Sequence, residues 1–551
     1  MTIPNVNTYH WDTVYVASLE VLNTAIQQTG SFPSKFDYKD TPTGVAINGV
    51  WSNWALGVEG SGGLIQMQTA IASGTATGVS ETADLTNGTL TIQFELEQIG
   101  YSGKTVPDPT AKPGTGTPTA QRFPQAGSNP VNVVATSFPN LDPNKAPILK
   151  DILQTIFQNY FNAHLNDIKA TFHVMMINEV ADKDGFQWVK PSAVSYAVGG
   201  PSKNKTLKNT AFGILAMTDG GSIGPLQEQS VDISALVGLA DGANSAFVIS
   251  PAKVTKHMLL KGAVTTIQGS QESDFSISDS GLSIVTAKDL TWGHFKLESG
   301  SIISPTIKAG DFLMRMDGDH VHLEINNAAY SPSAGITVYL NLEQNFGFKT
   351  VKREDGKYIF IPDVNSFGNP KIHSNVQVAE WLTITDIVIG VVGGIAALAG
   401  GISAVADLLA GAADTVISSS TDAIVDITED SFTDIENDLD EESWLKINDK
   451  PAQDADDGIN APNNAGQVQS GSFLKSTQFR TYCGLTAAIA GLTAAGMAVA
   501  GPVTSKIYSK IPPFDDFAAN VLGASQFPVL QNYDLLGASL RTSLVASIKL
   551  S

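Results

Sequence analysis

The chain has 551 residues, of which 42% are hydrophobic and 16% are charged. This composition provides for large apolar cores and is too weakly charged for a disordered chain. Asp and Glu number 54 against 33 Lys and Arg, so the formal net charge is -21. Such a field repels phosphate backbones, so we expect no nucleic-acid partner. The single cysteine, Cys483, excludes an intramolecular disulfide and Cys-rich metal sites.

The amino-terminal segment predicts a helix. Its opening residues have no basic stretch followed by an apolar run, so we expect synthesis without a classical signal peptide. Asp12 can cap a helix that begins directly after it. The helix would bury one stripe, formed by Tyr15, Leu19, Leu22 and Ile26.

The next elements alternate between strands, a loop and helices. Residues 63–100 alternate apolar with polar side chains, which predicts strands with one buried face. Residues 104–130 are rich in Pro, Gly and Thr and predict a long loop. A second amphipathic helix is predicted over residues 146–165, because apolar residues recur along one side after Pro147. Ser250 as N-cap and Pro251 in the first turn predict a third helix that follows a strand.

The clearest β pattern covers residues 273–362. Apolar residues occupy every second position on both sides of Asp317 and Gly318, and Asp-Gly between two alternating runs is a hairpin signal. This stretch therefore predicts a long antiparallel meander. No internal repeat is evident in the sequence.

The composition changes after residue 370. Two uncharged segments, 387–406 and 482–503, flank an acidic connector at 422–457. As a helix, the first would be roughly 30 Å long, which matches the thickness of a bilayer core. A buried helical hairpin, a conditionally membrane-inserting hairpin and a permanent transmembrane pair all remain open. The membrane-contact candidates are Ile387, Val388, Ile389, Val391, Val392, Ile395 and Leu398.

Polar motifs are sparse. Lys253, Lys256 and Lys261 could contact a lipid phosphate from one helical face, although the ordinary solvated face of an amphipathic helix is the favoured interpretation. His320 and His322 point to one side of a strand, where the solvent-exposed face is the simpler interpretation than a metal site. Residues 220–224 match G-x-S-x-G but predict a surface turn. We therefore predict no catalytic residue, no metal and no cofactor, so the chain is not expected to be an enzyme.

Four segments carry a family resemblance. Residues 8–23 read TYHWDTVYVASLEVLN and resemble the Thr-x-x-Trp-Asp-x-Val-Tyr opening of the forty-seven-kilodalton proteins of clostridial neurotoxin gene clusters, an OrfX-like branch of the TULIP superfamily. His10 stands where that motif carries glycine. Residues 243–250, the meander at 310–342 and residues 513–540 are similar as well.

The resemblance implies a mostly β (α+β) fold of the TULIP type. A long bent antiparallel sheet would wrap around long helices, with a C-terminal helical hairpin as an insertion. The predicted units are an N-terminal helix with the first strands at 1–103, the Pro/Gly-rich loop at 104–130 and the TULIP-like sheet at 131–375. The hydrophobic hairpin at 376–510 includes the acidic connector, and a segment at 511–551 returns to the β body.

The resemblance also implies a function. It predicts a non-enzymatic lipid-binding or membrane-docking accessory protein of a toxin or insecticidal locus. The alternatives are a chaperone-like scaffold that binds a partner protein without lipid, and a conditional membrane-inserting, pore-forming protein. The expected partners are a lipid or membrane surface, and a toxin or another TULIP-type protein. The expected location is the cytoplasm or, after release with a toxin complex, the extracellular space, with conditional membrane association.

Overall fold

The computed structural model describes residues 3–29, 31–78, 82–100, 119–122, 130–144, 146–168, 170–175, 188, 191–267, 269–293, 295–296, 302–352, 356, 358–363, 367, 371–378, 525–526, 530 and 533–551. The first half contains β1 (Thr13–Ser18), α1 (Leu19–Thr29), β2 (Lys35–Lys39), β3 (Ala46–Leu56), β4 (Ile65–Thr77), β5 (Ala83–Asp84), β6 (Thr89–Phe94), β7 (Glu97–Gly100), β8 (Thr119–Arg122), β9 (Asn132–Ser137), α2 (Ala146–Ala163), β10 (Thr171–Met175), β11 (Pro191–Gly199) and β12 (Ala211–Thr218).

The second half begins with β13 (Ser245–Ile249). A continuous helical segment follows, made of α3 (Pro251–Val254), one π-helical turn (Thr255–Leu259) and α4 (Leu260–Thr266), and is called helix 251–266 below. The remaining strands are β14 (Phe275–Ile277), β15 (Ser283–Thr286), β16 (Leu290–Thr291), β17 (Phe295–Lys296), β18 (Ile302–Ile303), β19 (Thr306–Ile307), β20 (Phe312–Asp317), β21 (His320–Ser333), β22 (Ile336–Lys352), β23 (Tyr358–Asp363), β24 (Lys371–Val378), β25 (Ser525–Gln526), β26 (Tyr533–Arg541) and β27 (Ser543–Leu550).

A central antiparallel sheet joins the two ends of the chain. Its order is β11-β12-β1-β13-β27-β26. Tyr15 and Phe247 lie opposite each other in the β1/β13 pair, with ring centroids 6.1 Å apart. The side chains of Tyr15 and Ala17 enter the main core, whereas those of Val14 and Val16 enter a second core on the other face. The central sheet is therefore buried on both sides.

The first strand corrects the prediction for the amino terminus. Thr13–Ser18 is a strand, and the helix begins only at Leu19. All six residues of β1 are buried, so apolar residues occupy both of its faces. The spacing of these residues therefore does not distinguish a strand from a helix. Asp12 does not cap the helix, because its carboxylate accepts hydrogen bonds from the backbone N–H and hydroxyl of Thr218.

The two halves of the chain repeat one order of elements around the β1/β13 pair. Each central strand runs into a helix whose start is capped by a serine hydroxyl. Ser18 Oγ accepts from the N–H of Val21, and Ser250 Oγ accepts from the N–H of Lys253, each at 3.4 Å. Each helix leads to an antiparallel sheet, and each half returns as a hairpin on the outer side of its central strand. The two halves thus repeat the same order of elements, a repeat that the sequence did not reveal.

The N-terminal sheet, of order β2-β3-β4-β6-β9, packs on α2. The predicted second helix is confirmed at Ala146–Ala163. Its buried side is aromatic and contacts Phe36 and Trp51 of the sheet, with the Trp51 and Phe161 rings stacked at 6.0 Å. Within the predicted loop at 104–130, Thr119–Arg122 forms β8 because both β7 and β10 pair with it. The rest of that loop, apart from residue 130, lies outside the described residues.

The meander sheet of the second half is built on β20, β21 and β22. Its hairpin at Asp317 and Gly318 confirms the predicted turn, since Asp317 pairs with His320. β22 has 17 residues and carries β21 along one edge. β24 pairs with its first half along the other edge, and β23 pairs with its second half. These long antiparallel strands confirm the predicted mostly β fold class.

Candidate functional site

The structure describes none of the seven predicted membrane-contact residues. Ile387, Val388, Ile389, Val391, Val392, Ile395 and Leu398 lie outside the described residues. The acidic connector at 422–457 and the second uncharged segment at 482–503 lie outside them as well. Within the part of the chain that the structure describes, no helix is both long and apolar enough to cross a bilayer. The helical hairpin and the predicted domain boundaries therefore stay predictions.

The predicted cationic face of helix 251–266 is paired with carboxylates. Lys253 Nζ lies 3.3 Å from Asp12 Oδ2 and 3.7 Å from Asp219 Oδ2, and its side chain is only 12% exposed. Lys256 Nζ lies 2.8 Å from Asp219 Oδ2. Lys261 belongs to α4. The assignment of these lysines to lipid phosphate stays a prediction, and the ion pairs of Lys253 and Lys256 weigh against it.

Asp219 is the centre of this charge cluster. It follows β12 with a φ of 56°, a left-handed conformation that turns the chain sharply. Burial raises the pKa of Asp219, but the hydrogen bond from Lys256 and the positive charges of Lys253, Lys256 and His257 lower it by more. The imidazole of His257 stacks on Trp188 with ring centroids 4.6 Å apart. The cluster thus fastens the end of β12 to helix 251–266.

The histidine pair lies on the side of β21 that faces away from the core. His320 Nδ1 is 3.0 Å from Asp319 Oδ1, and His322 Nδ1 is 2.7 Å from Asn345 Oδ1. Val321 points to the opposite side and is fully buried. Across the described ranges, no three His, Cys, Asp or Glu side chains form a group that could hold a metal ion.

The G-x-S-x-G residues belong to an exposed loop, residues 219–230, called the docking loop below. Its tip is uncharged from Gly220 to Gln227. Ile223 is 48% exposed and Leu226 is 67% exposed, so two large apolar side chains lie three positions apart in solvent on this loop. No helix follows Ser222 directly, because the next helical turn begins at Ile233, so the local structure differs from a hydrolase nucleophile elbow.

The opening motif of the chain supports the docking loop. Gln227 Oε1 accepts a hydrogen bond from the N–H of Gly224, and Gln227 Nε2 donates to the carbonyl of His10. Trp11 Nε1 donates to the carbonyl of Glu228 at 2.6 Å. His10 has a φ of 67°, the left-handed conformation that glycine adopts most readily, so its backbone suits the glycine expected at this position from the family resemblance. The motif therefore fixes the base of the loop.

A second unusual feature lies on the inner face of the meander sheet. Gln344 is 2% exposed, and neither its Oε1 nor its Nε2 has a hydrogen-bond partner. Tyr330 is 8% exposed on the same face, and its hydroxyl also lacks a partner. Sequence reasoning missed both residues, although a glutamine at an inward position between Leu342 and Phe346 is a visible break in the apolar alternation.

Comparison with known proteins shows which family this chain resembles. The model of the OrfX-like family, described as Protein OrfX2/OrfX3/P47, matches residues 8–441. This chain belongs to the OrfX-like family. Among the curated relatives, Protein OrfX3 of Clostridium botulinum (strain Kyoto / Type A2) is 21% identical over 426 residues, which cover 71% of this chain and 83% of the relative. Protein OrfX3 of Paraclostridium bifermentans is 24% identical over 292 residues, or 49% of this chain and 57% of the relative.

Solved structures of P47 share the fold. P47 of Clostridium botulinum A2 aligns with a TM-score of 0.53 at 18% identity, covering 71% of this chain and 86% of P47. P47 of Clostridium botulinum E1 aligns with a TM-score of 0.52 at 16% identity, covering 71% and 87%. The fold is therefore that of the P47 proteins, a mostly β, TULIP-like architecture. The family match begins at Thr8, where the motif that supports the docking loop also begins.

Proposed function

We propose that this chain is a non-enzymatic accessory protein that docks on membranes and binds lipid. The observation that carries the proposal is the docking loop, which exposes Ile223 and Leu226 on an uncharged tip with a fixed base. A bilayer interface accepts such side chains without needing a specific partner surface. Because the net charge is -21, the preferred surface is zwitterionic rather than anionic.

The loop supports weak and reversible docking. Burying a whole Leu or Ile side chain is worth about 1.5–3 kcal/mol. Since Ile223 and Leu226 are 48% and 67% exposed, roughly 2–3 kcal/mol in total remains to be gained at a membrane. This is a modest contribution, smaller than that of a single myristoyl chain, whose membrane binding is itself only marginal. Stable attachment therefore needs a second contact, which favours conditional membrane association.

The family context supports an accessory role beside a toxin. The relatives carry the names OrfX3 and P47 and come mainly from Clostridium botulinum. The proposed protein partner is a toxin or another TULIP-type protein, and the proposed location is the cytoplasm or a released toxin complex. The scaffold alternative uses the same fold to bind that protein partner and needs no lipid contact.

Vesicle flotation tests the proposal. The full chain is mixed with zwitterionic phosphatidylcholine vesicles, and the wild type is compared with the double variant Ile223→Ser, Leu226→Ser. Ile148→Ser is the matched control, since Ile148 is 71% exposed on α2, away from the docking loop. We expect the double variant to partition between about 30-fold and 150-fold more weakly and the control to behave as the wild type.

Three results contradict the proposal in different ways. Equal flotation of the double variant and the wild type would mean that the loop is not the contact. Absence of wild-type flotation on any vesicle would favour the scaffold alternative. Turnover of an ester or phosphoester that disappears in Ser222→Ala would overturn the non-enzymatic assignment.

A further inference from the structure

The N-terminal sheet ends at β2. This strand pairs with β3 on one side, and no described strand pairs with its other side. The N–H of Asp40 donates to the carbonyl of Val45, so the even-numbered residues of β2 direct their backbone groups toward β3. The backbone groups of Lys35, Asp37 and Lys39 therefore face the open side of the strand.

Other edges of this sheet are capped by side-chain amides. At the β9 end, Asn162 of α2 bonds to both the N–H and the carbonyl of Val131. Gln158 and Gln154 bond to the N–H and the carbonyl of Val133 in the same way. Where β3 extends beyond β2, an asparagine of α1 bonds to the last residue of β3. Within the described residues β2 has no such cap, and an uncapped edge is a template for another strand.

The outward side chains of β2 alternate in charge. Lys35, Asp37 and Lys39 are all exposed, and none of them forms an ion pair within the part of the chain that the structure describes. Lysines on an edge strand usually prevent pairing with another strand. The aspartate between these two lysines changes that effect, because it can lie opposite a lysine of a second copy of the same strand.

The charges select the register of such a pair. With Asp37 opposite itself, like charges would lie opposite each other along the whole strand, which is unfavourable. With Tyr38 opposite itself, Asp37 lies opposite Lys39 of the second copy. Tyr38 is only half-buried in one copy, so the two rings can cover each other. A register centred on Phe36 pairs Asp37 with Lys35, but Phe36 is already buried and gains nothing.

We propose that two copies of this chain associate through β2, which pairs antiparallel with β2 of the second copy about a two-fold axis at Tyr38. The two N-terminal sheets then continue into each other. Asp37 and the Lys39 opposite it exchange both of their backbone hydrogen bonds, and their side chains form an ion pair. The contact is isologous, as in most symmetric dimers. It uses no residue of the docking loop and goes beyond the proposed function.

The net charge of -21 limits the strength of this dimer. At physiological ionic strength the Debye length is about 8 Å, so repulsion between charges spread over the two copies is largely screened. The charges of Asp37 and Lys39 lie closer together than this in the proposed pair. Because the paired edge is short, we expect a weak dimer with a Kd on the order of 0.1 mM.

Analytical ultracentrifugation of the full chain at physiological ionic strength tests the dimer. Asp37→Lys and Lys39→Asp should each weaken association at least about ten-fold, because each places like charges opposite each other. An equimolar mixture of these two variants should associate again, since every pair across the contact then joins a lysine to an aspartate. Lys35→Asp is the matched control: it changes the net charge as Lys39→Asp does, but lies opposite no charge and should dimerise as the wild type.

Three outcomes overturn the inference. The wild type would have no such contact if it stayed monomeric up to about 0.5 mM. Failure of the mixed variants to associate would mean that positions 37 and 39 do not lie opposite each other. Loss of the dimer in Lys35→Asp but not in Lys39→Asp would show that the axis is not at Tyr38. Because these side chains are exposed, each variant should keep the Tm of the wild type, which separates lost association from unfolding.

Discussion

Asn23 is the residue through which α1 is attached to the N-terminal sheet. Its side chain is 6% exposed. Oδ1 accepts from the N–H of Leu56 at 2.6 Å, and Nδ2 donates to the carbonyl of Leu56 at 3.2 Å. The amide thus pairs with the last residue of β3 as a neighbouring strand would. The variant Asn23→Leu preserves the approximate volume and removes both bonds.

The expected loss follows from the two backbone groups of Leu56. Each buried group left without a partner costs about 1–3 kcal/mol. Part of this cost is offset, because the variant no longer has to remove the Asn23 amide from water. We therefore expect Asn23→Leu to lower the free energy of unfolding by about 2–4 kcal/mol. Urea unfolding, monitored by tryptophan fluorescence, should show this loss as a lower midpoint with an unchanged slope.

The control lies on the same helix. Thr24 is exposed, and its hydroxyl donates only to the carbonyl of Glu20. Thr24→Ala should change the free energy of unfolding by less than about 0.5 kcal/mol. If Asn23→Leu is no more destabilising than Thr24→Ala, the attachment of α1 through Asn23 is refuted.

Two further predictions concern helix starts and pH. Ser18→Ala and Ser250→Ala should each lower the free energy of unfolding by about 1 kcal/mol, because each removes the cap of a helix. Urea midpoints that differ strongly between the two variants would contradict the equivalence of the two caps. The pKa of Asp219 is lowered in the folded chain, so its ion pairs stabilise above the ordinary Asp pKa, and this stabilisation is lost as the pH falls through the lowered value. Tm measured against pH should fall less steeply on the acid side in Asp219→Asn, and an identical slope would argue against the ion pairs.

The sequence predicted the elements with strong and long patterns. The meander and α2 follow from strict alternation and from a long apolar stripe, and both are confirmed. β1 could not be distinguished from a helix, because Val14 and Val16 face one core while Tyr15 and Ala17 face the other. β8 was missed because its strand conformation comes from pairing with β7 and β10, which local composition does not encode.

The candidate sites were less predictable than the fold. The exposure of Ile223 and Leu226 depends on contacts between the docking loop and residues near His10, which are 217 positions away in the chain. Lys253 resembled a free cation until its pairing with Asp12 and Asp219 was located. Long-range contacts of this kind have no local sequence signal. Gln344 did have one, since it interrupts an apolar series at an inward position.

The two halves differ in how the inner face of each sheet is filled. In the first half, the aromatic side chains of α2 fill the inner face of the N-terminal sheet, and Trp51 and Phe161 stack there at 6.0 Å. In the second half, the corresponding face of the meander sheet carries Gln344, whose two polar atoms have no partner. The central sheet joins the two halves, because β1 and β13 pair directly and the rings of Tyr15 and Phe247 contact each other.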